Sequence, residues 1–81
     1  MTKMEKECLL IVAKAAVEKG TWDDVYVELP VAASEERANI YDFLERNGYA
    51  YIKDKYGRNK IVCNVQEKAL LFLLKETEMN H

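Results

Sequence analysis

A chain of 81 residues can build one hydrophobic core and is too short for two. Hydrophobic residues are 49% and charged residues 32% of it, with three Gly and one Pro, a balance that excludes disordered, collagenous and low-complexity classes. The formal net charge of -2 is unevenly spread: Arg46, Lys53, Lys55, Arg58 and Lys60 face only Asp54 within residues 46–60, a local +4 that attracts a polyanion because screening over about 8 Å lets the nearest charges decide.

Thr2-x-x-Glu5 is a capping-box pattern, so a helix is predicted over about 3–19. Met4, Cys8, Ile11, Val12 and Ala15 recur at helical spacing, Leu10 and Val17 extend the set, and Gly20 follows as the terminating residue. Thr21 with Asp23 and Asp24 repeats the start signal, which predicts a second helix over about 22–29. Val25-Tyr26-Val27-Glu28-Leu29 is also strand-forming, and an extended segment is the alternative there. Pro30 ends either one.

Ser34, Glu35 and Glu36 predict the start of a third helix over 34–47, with Ile40, Tyr41, Phe43 and Leu44 as its apolar residues and Asn47-Gly48 as its stop. Tyr49 to Asn64 reads as a hairpin whose tip is Asp54 to Asn59, with Gly57 able to supply a positive φ. Asn64-x-x-Glu67 predicts a last helix over about 65–76, followed by a frayed Met79-Asn80-His81. The whole is one domain, 1–81, of α+β class and mainly helical.

Within this order, Ile40-Tyr41-x-x-Leu44-x-x-Asn47-Gly48-Tyr49 resembles the end of a recognition helix entering the first wing strand of winged helix-turn-helix domains. The resemblance covers roughly residues 21–65. It implies a two-stranded β-hairpin wing, a C-terminal helix, and a helix set in the major groove of double-stranded DNA while the wing lies on the phosphates. Carried onto this chain, the helix contacts are Arg37, Asn39 and Arg46, and the wing contacts are Lys53, Lys55, Tyr56, Arg58 and Lys60. Arg and Asn are side chains that form paired hydrogen bonds with guanine and adenine edges. Glu35 and Glu36 sit at the helix end that would approach phosphate, and their charge works against that contact.

Leu70-Leu71-Phe72-Leu73-Leu74 places apolar side chains all around the last helix, more than one face can bury. The first helix has the same excess, so a homodimer is expected with Leu10, Val17, Leu70, Leu73 and Leu74 at its interface, as the resemblance to winged-helix regulators, which commonly pair through such helices, also implies. The alternative to a DNA-binding transcription regulator is a winged-helix module that binds another protein through its acidic third helix or its apolar terminal helices.

Catalysis is not expected: the sole histidine is His81, and no phosphate-binding Gly-rich loop exists. Cys8 and Cys63 lack ligand neighbours and read as buried free thiols, so no metal or cofactor is expected. The run Leu70–Leu74 is far shorter than a bilayer span, and Met1-Thr2-Lys3-Met4 is not followed by a cleavage site, which together lead to the expectation of a cytoplasmic protein with no membrane partner.

Overall fold

The structure, a computed structural model, describes residues 1–79. Its elements are α1 (Lys3–Lys19), β1 (Val25–Glu28), α2 (Ser34–Arg46), β2 (Ala50–Tyr56), β3 (Lys60–Val65) and α3 (Glu67–Met79). About half the chain is helical, and the strands form one antiparallel sheet in the order β1-β3-β2.

Local signals set α1. The Thr2 amide donates to Glu5 Oε1 at 2.7 Å and the Glu5 amide to Thr2 Oγ1 at 3.1 Å, which closes the capping box. At the other end Gly20 turns left-handed (φ 74°) and its N–H reaches the carbonyls of Ala16 and Val17. The buried face is Cys8, Leu9, Val12, Ala13 and Ala16, rotated slightly from the stripe expected through Ile11 and Ala15.

The helix expected over 22–29 is not formed. Residues 25–28 are β1, in which Val25 and Val27, with Leu29 beyond, are buried while Tyr26 and Glu28 are exposed. That alternation has the period of a strand, and a helix would have distributed the same residues around its circumference. Distant partners hold β1 in place. Leu29 N–H donates to the Asn59 carbonyl at 2.8 Å, Asn59 Nδ2 donates to the Leu29 carbonyl at 2.9 Å, and Val65 N–H donates to the Trp22 carbonyl at 2.8 Å. The expected two-stranded hairpin is consequently a three-stranded sheet. No helix precedes α2 across 22–33, so the two-helix unit that the resemblance implies is not made, and α2 packs on β2 and α1 instead.

Two helix starts also differ from expectation. Ser34 is the first residue of α2, the cap is Ala33, and no side chain bonds there. Residues 65 and 66 precede α3: Val65 stays paired with Ala50 in β3, and the Asn64 carboxamide accepts the Asp24 amide at 3.1 Å in place of capping. The last helix extends to Met79; Asn80 and His81, where fraying was expected, lie outside the described residues.

α1 and α2 pack on one side of the sheet and α3 packs on α1, and in the shared core Val25, Val27, Ala50, Ile61, Cys63 and Val65 join Leu9, Val12, Ile40, Phe43, Leu44 and Ala69. Every buried side chain among the described residues is apolar, and both cysteines are free and buried, with burial pushing each thiol up to about 11. No described helix is long and apolar enough to cross a membrane. Leu44 of α2 is fully buried in this core. Leu44→Ala is expected to lower unfolding stability by about 2–5 kcal/mol through lost burial and the cavity left behind, read as a shifted denaturant midpoint with an unchanged slope.

Candidate nucleic-acid interface

The β2–β3 turn projects the basic segment. Tyr56 pairs with Lys60, and Gly57 (φ 60°), Arg58 and Asn59 close the loop between them. Strand alternation then sorts the cations. Lys55 lies opposite the buried Ile61 and so points to the helix side, where its ammonium sits 5.3 Å from the centroid of the Tyr41 ring on α2. Tyr56 and Lys60 point the other way, onto the outer face of the sheet. A bulge at Lys53 sets this register, because Ile52 faces Cys63 while Asp54 already faces Val62.

Not every base in the segment is available. Lys53 Nζ is 2.6 Å from Asp24 Oδ1. This hydrogen-bonded pair holds the Asp24 carboxyl below its ordinary value and raises Lys53 above its own. Arg46 is 3.3 Å from Asp42 one helical turn away. By contrast Lys55, Arg58 and Lys60 have no carboxylate within 4.0 Å among the described residues, and they form the unpaired positive group at this end of the molecule.

The helix candidates are not brought together. Arg37 is half-buried, with Nη1 donating to the Ala32 carbonyl at 2.9 Å, so its guanidinium braces the loop before α2. Asn39 and Arg46 share a cleft toward α1 with Glu5, Glu36 and Asp42, an acidic setting. Tyr56 donates its hydroxyl to Asp54 Oδ2 at 2.9 Å, which pushes the phenol up. The Asp54 carboxylate also accepts the Lys55 amide, at 2.9 Å.

Of the interface candidates, Leu10, Leu70 and Leu73 are half-buried, Leu70 and Leu73 packing on the chain's own core, whereas Val17 and Leu74 are exposed. Leu71 was not among the expected residues, because a run that is apolar on all sides does not reveal which side faces out. It is 51% exposed and Leu74 58%, and with Tyr49 and Phe72 they border a groove of about 430 Å³. Tyr26 was also missed; the helical reading of 22–29 gave it no sheet face. Its ring lies 6.5 Å from that of Tyr56.

Among the described residues no group of three or more His, Cys, Asp or Glu is placed to hold a metal ion. No protein-family model matches the chain, and no curated protein or solved structure matches it significantly.

The Asp24–Lys53 pair yields a direct test of which cations are free. Asp24 has a left-handed backbone (φ 53°) that Asn tolerates, so Asp24→Asn removes the charge without straining the loop. The pair forms above the ordinary carboxylate range and is lost as pH falls through the lowered Asp24 value. Being exposed, it contributes little to stability, and the thermal midpoint should hardly move. Freed Lys53 should make Asp24→Asn elute from heparin at higher salt than Asp23→Asn, which changes net charge equally. Equal elution would show that Lys53 was already available.

Proposed function

We propose that the chain is a small DNA-binding protein of a winged-helix layout that lacks a helix between β1 and α2, a cytoplasmic transcription regulator acting as a homodimer, in which the β2–β3 turn lies on duplex phosphates beside α2. The observation that carries this reading is the unpaired trio Lys55, Arg58 and Lys60, which stays free while Lys53 and Arg46 are neutralised by the chain's own acids. The Lys55–Tyr41 contact ties the turn to α2, so helix and turn form one surface. With Arg37 holding a backbone carbonyl and Asn39 in an acidic cleft, contact is made chiefly to phosphate, and sequence preference is weak.

Three neutralised phosphates give a salt slope of roughly -3 in log–log form. Duplex binding followed by anisotropy should show it, and Lys55→Ala with Arg58→Ala should flatten the slope by about 2 while weakening binding. A chain that does not bind duplex DNA at low salt sinks the reading.

Assembly rests on Leu71 and Leu74, large apolar side chains left in water on α3 beside the groove. The expected mass in solution at tens of micromolar is that of a dimer, and Leu74→Glu should return it to a monomer because a carboxylate buried in the seam loses its hydration. A monomeric unsubstituted chain contradicts it. The same groove favours a second reading, a protein-interaction module without nucleic acid; this is the reading left standing if the salt titration finds no DNA binding and the chain is a monomer.

A further inference from the structure

The outer face of the sheet carries no helix: Tyr26 and Glu28 of β1, Tyr51, Asp54 and Tyr56 of β2, and Lys60 of β3 are all exposed. Near the turn this face forms an open depression of about 690 Å³ lined by Tyr26, Tyr56, Val62, Arg58, Asn59 and Lys60. The two tyrosines are 53% and 47% exposed, tilted 43° to each other across β3, with the half-buried Val62 between their strands. Tyr56 is held by its hydroxyl bond to Asp54, so the ring is oriented before any ligand arrives.

We infer that this depression is a binding site for single-stranded nucleic acid, in which an unpaired base stacks on Tyr26 and Tyr56 while Arg58 and Lys60 take the adjoining phosphates. Exposed rings on a flat sheet offer a stacking surface to a splayed base; in a duplex the base faces are already stacked on one another. The charge pattern selects a polyanion over a neutral or basic partner. Arg58 and Lys60 flank the rings without a carboxylate partner, Glu28 opposite Lys60 is not in an ion pair with it, and the Asp54 carboxylate is occupied by the Tyr56 hydroxyl and the Lys55 amide. Tyr51, also on this face, adds a third exposed ring farther along β2 for a following base. The depression lies on the opposite side of the sheet from the Lys55–Tyr41 contact, and the two readings share the cations Arg58 and Lys60.

The test uses a fluorescent oligothymidylate of roughly 10 nucleotides and a matched duplex, measured with the full chain at low salt. Tyr26→Ala and Tyr56→Ala should each weaken the oligothymidylate about tenfold or more, and Tyr26→Ala should leave the duplex unaffected. Tyr56→Phe, which loses the hydroxyl bond and keeps the ring, should bind the single strand nearly as the unsubstituted chain does. Lys60→Ala should weaken single-strand binding and reduce its salt slope by about 0.7. All three side chains are exposed, so unchanged thermal midpoints should accompany these effects. Absence of single-strand binding, or alanine variants that bind it normally, overturns this inference; duplex binding that persists in that case leaves the regulator reading intact. Loss of duplex binding alone, with the tyrosine-dependent single-strand signal retained, removes the regulator reading and supports this one.

Discussion

The pairing of β1 with β3 is the constraint on which the rest of the molecule depends. It buries Val25, Val27 and Leu29 under α1 and converts a hairpin with one protected strand into a sheet with a defined inside and outside. A two-stranded hairpin alone is marginal in water, and a third strand with an apolar face on helices is what makes such a sheet stable. The hydrogen bonds at the ends of β1 run to Asn59, Asn64 and Val65, so the turn that projects the basic residues is anchored to the strand farthest from it in the sheet. Tip position and core burial are therefore one problem with one solution.

Once the sheet has two faces, local charge no longer describes the basic segment. Five bases within residues 46–60 divide into a helix-side cation at Lys55, an outer-face cation at Lys60, a turn cation at Arg58, and two that the protein neutralises itself. Coulomb attraction at the surface is weak per pair, so Lys53 and Arg46 add little to stability by bonding Asp24 and Asp42. Their effect is to withdraw charge from solvent, and the residual field is concentrated at the turn. An acidic α2 and a cationic turn then coexist on a chain of small net charge.

How much of this was legible in the sequence follows from the range of the forces involved. The start and stop of α1 could be read because Thr2, Glu5 and Gly20 act within a single turn of helix. The α2 stripe was legible in part from its period: Ile40 and Leu44 are buried as expected, but Phe43 takes the third buried place and Tyr41 is left half-buried. Residues 22–29 could not be decided locally: Thr21, Asp23 and Asp24 carry a helix signal, and the bonds that select the strand come from residues some 30 to 40 positions away. Asn64 shows the same limit, since its side chain is taken by Asp24 rather than by a helix end. For the site, the cations themselves were evident, but their division between faces hangs on the bulge at Lys53, which no spacing rule anticipates. Tyr26 became visible as a surface residue only with the strand, and Leu71 only with the docking of α3.

The turn also couples the two surfaces proposed for this protein. Arg58 belongs to neither strand and lines the outer depression from the turn, whereas Lys55 and Lys60 are committed to opposite sides by the pleat. A duplex held through Lys55, Arg58 and Lys60 takes both cations that a single strand stacked on Tyr26 and Tyr56 would use, and the converse holds for the single strand. Because each phosphate contact enters binding through counterion release, removing one of two or three cations changes affinity steeply at low salt and little at high salt. On these readings the two ligands compete through the shared Arg58 and Lys60, and Arg58→Ala with Lys60→Ala would relieve the competition while leaving Lys55 to the duplex and the tyrosine rings to the single strand.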